Sequence, residues 1–254
     1  MAQWALVTGA TAGIGESFSR LLASQGFNVA LVARDEARLH ERAAGLREKY
    51  GVQTFVLPAD LSTNAGCRAV EDYISTYPIE VLINNAGFGI NKAFSASQLD
   101  AEQQMFDVLV RTPMRLMHTI IPGMKERKSG IIINVSSVAS FIAGGTYSAS
   151  KSYLTVLSES LNTELASSGV KVSALCPGFT RTEFHQRGRM KMGGLPKFMW
   201  LNADKLVEQS WKDALANKPV SIPGWQYKLL VGVISTVPRK FVRQIGMNVR
   251  KKQR

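Results

Sequence analysis

Near-continuous apolar runs at positions 4–8, 28–33, 52–57, 81–84, 131–135, 170–176 and 220–222 alternate with longer stretches of helical composition. Those stretches lie at 13–25, 35–50, 64–76, 97–127, 146–168 and 203–217. Apolar runs without polar alternation mark strands buried on both faces, and the helices between them supply the cover. The pattern predicts an α/β fold: a doubly wound parallel sheet of about seven strands with helices on both faces. No internal repeat, low-complexity tract or linker interrupts it, so 1–225 reads as one domain. The stretch after the sixth strand, 177–201, is irregular and rich in Gly, Met and basic residues. Ligands bind outside the carboxyl ends of the strands in such sheets, so 179–201 reads as a substrate lid.

Charge changes the picture at one end only. Of the net +12, nine charges lie beyond Asp213, where nine bases and no acid occur; the first 213 residues carry 22 bases against 19 acids. Within the tail, 226–254, apolar residues such as Leu229, Leu230, Val233, Ile234, Phe241, Ile245 and Val249 recur at roughly helical spacing between the bases. Two readings stand. The tail covers the substrate pocket or a subunit interface with its bases reaching to water, or it lies on a membrane surface as a peripheral contact. Its longest apolar run is far short of the ~20 residues a spanning helix needs. No aromatic stacking pattern accompanies the bases, so nucleic acid is not an expected partner.

The remaining composition is that of an ordinary folded protein, 45% hydrophobic and 20% charged over 254 residues. Cys67 and Cys176 make neither a disulfide framework nor a metal-ligand spacing, which fits a reducing, cytoplasmic compartment. The first residues enter a strand with no basic region and apolar run ahead of it, so no signal peptide is expected. His40, His118 and His185 have no metal-like spacing, and no metal site is expected; His185 falls in the lid, where substrate contact is one reading and plain exposure the other. Met190, Met192 and Met199 either line an adaptable apolar pocket or pack the lid.

The chemistry concentrates at 136–151. Tyr147 stands four residues before Lys151, so on a helix the two side chains share a face. A free phenol titrates near 10, and trading its proton near neutrality costs about 4 kcal/mol. One ammonium about 4 Å away supplies roughly that much at an effective dielectric near 20. The pair is therefore expected to do acid–base work on an alcohol or carbonyl, with Lys151 acidifying Tyr147. Ser136 and Ser137 end the apolar run before them.

The first strand runs into Thr8-Gly9-Ala10-Thr11-Ala12-Gly13-Ile14-Gly15 and then a helix. Glycines there permit a tight turn, close approach of the backbone to a pyrophosphate, and a helix N-terminus facing its charge. Thr8, Gly9, Thr11, Gly13, Ile14 and Gly15 are the candidate cofactor residues of this turn. The second strand ends in Ala33-Arg34-Asp35. Arg34 offers a planar fork for a 2′-phosphate, favouring NADP(H) over NAD(H). The rival reading makes Asp35 the ribose acid; Asp35 is better placed as the N-cap of the next helix.

With these segments in order, the chain resembles the short-chain dehydrogenase/reductase family over about its first 220 residues. The motifs that carry the resemblance are Thr8-Gly9-x-x-x-Gly13-x-Gly15, Asp60-Leu61, Asn84-Asn85-Ala86-Gly87, Ser137, Tyr147-x-x-x-Lys151 and Pro177-Gly178. It implies a Rossmann-type sheet, a nicotinamide cofactor, and a homodimer or homotetramer. It further implies that Asp60, with Leu61, meets the adenine and that Asn85, Ala86 and Gly87 line the cofactor groove. Pro177, Gly178 and Thr180 follow the sixth strand in the same groove, and Thr182 holds the nicotinamide amide. Tyr147 becomes the proton donor or acceptor, Lys151 its activator and ribose ligand, and Ser137 the orienter of the substrate oxygen. The expected substrate is a hydrophobic ketone or 3-oxoacyl compound. Two departures stand out. The Ser137-to-Tyr147 spacing is about three residues shorter than the family's commonest, which Gly144 and Gly145 accommodate. Leu109 aligns where many relatives carry an asparagine that supports a water chain to the lysine.

Overall fold

A computed structural model describes residues 3–184 and 196–244. Seven strands form one parallel sheet in the order β3-β2-β1-β4-β5-β6-β7. They are β1 (Trp4–Thr8), β2 (Asn28–Ala33), β3 (Thr54–Pro58), β4 (Ile79–Asn84), β5 (Gly130–Val135), β6 (Val170–Leu175) and β7 (Val220–Ser221). The helices are α1 (Gly13–Ser24), α2 (Glu36–Tyr50), α3 (Asn64–Thr76), α4 (Leu99–Phe106), α5 (Thr112–Arg127), α6 (Thr146–Glu164), α7 (Ala203–Leu215) and α8 (Trp225–Thr236).

Strand residues alternate between two cores. Leu6, Ala30, Val32 and Leu82 point to one, filled by Val70 of α3, Leu116 and Ile120 of α5 and Leu154 of α6. Ala5, Val7, Leu31 and Ile83 point to the other, filled by Phe18 and Leu22 of α1, Leu39 of α2 and Leu206 of α7. Each of the larger buried side chains contributes about 1.5–3 kcal/mol by leaving water, which holds the sheet as the middle of three layers. The doubly wound parallel sheet expected from the apolar runs is the one observed, and it is of the Rossmann type that the resemblance implies.

Element ends shift by a few residues, β3 starting at Thr54 and α6 ending at Glu164, and two further differences bear on the site's frame. β4 begins at Ile79, two residues early: Glu80 breaks the apolar run, the register with β1 shifts there, and the Glu80 side chain accepts a hydrogen bond from Ser129. The long helix expected at 97–127 is interrupted: 107–111 widens into a π turn in which Thr112 N–H donates to the Asp107 carbonyl. Pro113 is the reason at hand, since it has no N–H to give the carbonyl four residues back, that of Leu109. Such π turns collect at functional sites.

The strand order reverses between β1 and β4, and the crevice there, at the carboxyl ends, is where doubly wound sheets bind ligands. α8, which follows β7, opens the segment read as a tail and packs on the loop after β6. Its Tyr227 is 1% exposed; the phenol accepts from Phe179 N–H at 3.0 Å and donates to the Met199 carbonyl at 2.6 Å.

Candidate active site

The turn after β1 is held by its neighbour rather than by itself. Thr8, 2% exposed, donates to the Ile83 carbonyl at 3.2 Å and accepts from the N–H groups of Asn85 and Ala86 at 2.9 and 3.0 Å. Asn85 returns its amide to the Thr8 and Gly9 carbonyls at 2.8 and 3.1 Å. A β-carbon on Gly9, whose φ is 66°, would stand 2.8 Å from the Asn85 amide nitrogen. One on Gly15 would collide with that nitrogen and with the Gly9 carbonyl. Two of the three glycines are thus required by packing between the β1 turn and the β4 loop, a reason independent of any phosphate. The turn still fits one: Ala12, at the N-cap of α1, makes no side-chain hydrogen bond, leaving the helix's first N–H groups for an anion.

The segment after β6 lies across this turn. Val138 N–H bonds to the Pro177 carbonyl at 3.0 Å, and the buried Thr180 donates to the Gly178 carbonyl at 3.0 Å. Thr182 sits against Gly13, where a β-carbon would come within 2.9 Å of it. Asp35 caps α2, accepting from Arg38 N–H at 3.1 Å. Arg34 is exposed at the end of β2. Asp60 accepts from the N–H and hydroxyl of Ser62 at 3.0 and 2.8 Å. Burial pushes its carboxyl up, but the two bonds from Ser62 and the charge of Arg34 hold it below the usual range. Leu61 is buried and gives its carbonyl to Thr112 at 2.8 Å.

The two serines after β5 face different ways. Ser136, 2% exposed, spends its hydroxyl inward, 2.9 Å from the Lys151 carbonyl and 2.7 Å from Thr155 Oγ1. Ser137 caps a short turn by accepting from Ala139 N–H at 3.1 Å, and its hydroxyl stands near enough to the Tyr147 phenol to pull that group's pKa down. That turn, 138–141, and Gly145 at φ 87° bring the chain back into α6 within the shortened spacing.

Tyr147 and Lys151 share a face of α6, but not the electrostatics expected of them. Lys151 is 4% exposed and donates to the Val135 carbonyl at 2.6 Å, with its nitrogen 5.8 Å from the Tyr147 ring centre. Burial pushes the Tyr147 phenol up to about 12, against the pull of Ser137. Burial likewise pushes the Lys151 ammonium down to about 8. The protein's own groups therefore leave Tyr147 protonated at neutral pH rather than acidified. Desolvation disfavours the charged form of each group, and the ammonium spends its bond on a carbonyl.

Around the phenol the walls are apolar. Tyr147 packs against the buried cluster of Met105, Leu109 and Val110, as do Phe88 and Ile90, and its ring centre lies 6.1 Å from that of Phe184. Leu109 is 1% exposed and fills the space a Gly87 β-carbon would need, at 2.8 Å. The same position is 3.9 Å from Lys151 Nζ, so Leu109 does stand beside the lysine, with no polar atom of its side chain to hold water. Met190, Met192 and His185 lie outside the described residues; Met199 sits in a short turn beside Tyr227.

Sequence reasoning missed three groups. Arg38 and Arg42 continue the four-residue spacing from Arg34 along α2, a visible signal. Arg38 binds Glu183 through two nitrogens, and Arg42 reaches the Thr11 carbonyl at 3.5 Å. Glu102, 7% exposed, accepts from Ser97 and Thr146, both at 2.6 Å, and pins the residue before Tyr147.

The short chain dehydrogenase family model matches residues 3–192. Over 181 residues the chain is 38% identical to the very-long-chain 3-oxoacyl-CoA reductase of Laccaria bicolor, covering 68% of this chain and 53% of that protein. Over 187 residues it is 32% identical to the inactive hydroxysteroid dehydrogenase-like protein 1 of Homo sapiens, covering 71% and 56%. The chain thus spans about half the length of the curated relatives it matches. A solved short-chain dehydrogenase from Sphingobium yanoikuyae in complex with NADPH aligns with a TM-score of 0.84 at 31% identity, over 93% of this chain and 96% of that one. A family match running from β1 past Thr182 takes in the glycine turn, the two serines and the tyrosine–lysine pair together, and the chain belongs to the short-chain dehydrogenase/reductase family.

Proposed function

We propose that the protein is an NADPH-dependent reductase of hydrophobic carbonyl compounds, ketone or 3-oxoacyl in type, able to run in reverse on the alcohol. The observation that carries this reading is the meeting of Ser137 with a protonated Tyr147 inside walls made of Met105, Leu109, Val110, Phe88 and Ile90. Two hydroxyls in an apolar recess can hold a carbonyl oxygen as negative charge grows on it, and Tyr147 Oη has the proton to give. A phenol kept protonated by burial suits reduction, where it acts as the acid. The apolar walls suit an uncharged, lipid-like substrate, in line with the 3-oxoacyl-CoA reductase among the relatives.

A nicotinamide dinucleotide supplies the hydride when bound. The uncapped start of α1, the Gly9–Gly15 cradle and the exposed Arg34 fit its phosphates, and Asn85, Ala86, Gly87 and Thr182 line the same crevice. Arg34 in place of a ribose-binding acid, with Asp35 committed to capping α2, favours the 2′-phosphate. In the same reading the enzyme is a cytoplasmic homodimer or homotetramer, its two cysteines buried and unpaired.

NADPH oxidation with a panel of hydrophobic ketones tests the reading, with Tyr147→Phe expected to abolish it. A second reading, a nucleotide-binding protein of weak turnover, is favoured by Leu109 and by the relative named inactive. It wins if wild type and Tyr147→Phe bind NADPH equally yet neither turns over any ketone, and if Leu109→Asn then raises the rate.

A further inference from the structure

A helix lying on a protein ordinarily turns a polar face to water. α8 does not. Its inner face is occupied, with Tyr227, Val231 and Ile234 buried against the domain. Its outer face carries Trp225, Leu229 and Val233, four residues apart and so stacked along one side, exposed by 72%, 62% and 52%. Phe198, 61% exposed, joins this row from the preceding segment, where its carbonyl accepts from Gln226 Nε2 at 2.9 Å. Four large apolar side chains therefore face solvent on two segments that hydrogen bonds hold in fixed relation.

The charge around them has one sign. Lys228 is the single charged residue of α8 and is exposed. Lys197 lies beside Phe198, and the exposed Arg239, Lys240 and Arg243 follow the helix. No acid occurs anywhere beyond Asp213. We propose that this face docks on an anionic phospholipid bilayer, Trp225, Leu229, Val233 and Phe198 entering the headgroup–acyl boundary while the bases meet lipid phosphates. Apolar side chains flanked by bases match that boundary on both counts. A second copy of the chain is the poorer occupant, because a twofold contact would set two basic surfaces against each other. Among the described residues no helix is long and apolar enough to cross a membrane, so the contact is peripheral.

The test uses the full chain, sedimented with vesicles of phosphatidylcholine alone and of phosphatidylcholine mixed with phosphatidylserine, at low and high salt. The mixed vesicles should bind it, with salt weakening the binding and Trp emission shifting to the blue, the shift disappearing in Trp225→Phe. Lys240→Gln should lower partitioning about fivefold. Leu229→Gln with Val233→Gln should lower it at least about tenfold. These side chains are exposed, and the variants should match wild type in circular dichroism and in reduction of a water-soluble ketone, which separates failure here from failure of the proposed reaction. Equal binding to both vesicle types overturns the proposal, as does wild-type partitioning of the Leu229→Gln, Val233→Gln protein. A lipid-free dimer that the same double variant dissolves overturns it in favour of a second copy.

Discussion

Arg38 grips Glu183 through both terminal guanidinium nitrogens, at 2.9 and 3.1 Å, and so ties α2 to the segment after β6. Glu183 follows Thr182, which covers Gly13, so the bond closes one side of the crevice beside Arg34. Both partners are partly exposed, 28% and 43% by side chain, and the pair is worth at most about 1 kcal/mol to stability. Its consequence lies in binding. Arg34→Leu should raise KM for NADPH at least about tenfold, the worth of one charge-assisted hydrogen bond, and leave KM for NADH unchanged. Glu183→Gln releases Arg38 toward the same phosphate and should lower KM for NADPH severalfold. Steady-state kinetics with both nucleotides decide; equal shifts for the two would remove Arg34 from cofactor choice.

The Glu102 carboxylate holds Thr146, and Tyr147 comes next on α6, a helix whose own cap, Gly145, has no side chain to offer. Glu102→Ala strands the hydroxyl of Thr146, while that of Ser97 keeps the Phe94 carbonyl, and should cost about 1 kcal/mol. It should also loosen Tyr147, lowering kcat by about ten- to a hundredfold with KM for NADPH unchanged. Glu102→Gln, which keeps an acceptor, should recover most of that rate. Thr146→Val paired with Glu102→Ala in a double-mutant cycle should show coupling, and additive losses would mean the contact does not position the tyrosine.

What the sequence made legible was whatever depends on near neighbours. Strands buried on both faces reveal themselves as runs such as Ile131-Ile132-Ile133, and the Asp35 cap follows from residue type and place. The bonds between Arg38 and Glu183 and between Glu102 and Thr146 join residues 145 and 44 positions apart, and nothing local announces them. The direction of the Tyr147 shift was hidden for another reason. Spacing alone puts Lys151 on the right face, but where the ammonium points depends on the Val135 carbonyl, and how dry the phenol is depends on α4 and the π turn. The widening at 107–111 was half visible: Pro113 stood in the sequence, but helical composition on both sides masked its effect.

Gly178 is closed to any side chain, since a β-carbon there would overlap the ring of Tyr227. The ring cannot retreat cheaply, because its hydroxyl bridges Phe179 N–H and the Met199 carbonyl. Tyr227→Phe should cost about 1–3 kcal/mol for the lost bonds. Gly178→Ala should cost at least as much through overpacking, and less in a Tyr227→Leu background, where room has been made. Chemical denaturation of the four proteins gives the comparison; an unchanged Gly178→Ala cost in that background would show that the clash is not what excludes alanine.

Lys151 makes the stability of the protein depend on pH in a window of its own. Unfolded, its ammonium titrates near 10.5; folded, burial brings that to about 8. Between these values the unfolded chain holds the proton and the folded chain does not, so stability rises with pH across the window. Below it both states are charged and the folded protein bears the full cost of the buried ammonium, about 3 kcal/mol for this separation. Tyr147 acts in the opposite sense and higher up, its raised value costing stability as pH climbs from 10 to about 12. Lys151→Met isolates the first effect. It should be more stable than wild type at pH 7 by about 2 kcal/mol, since loss of the bond to Val135 offsets about 1 kcal/mol of the gain. The gap should close and reverse as pH approaches 10.5. Urea unfolding of both proteins without added nucleotide, from pH 7 to 10.5, reads this directly. A gap that stays constant with pH would mean the lysine is not carrying a desolvated charge.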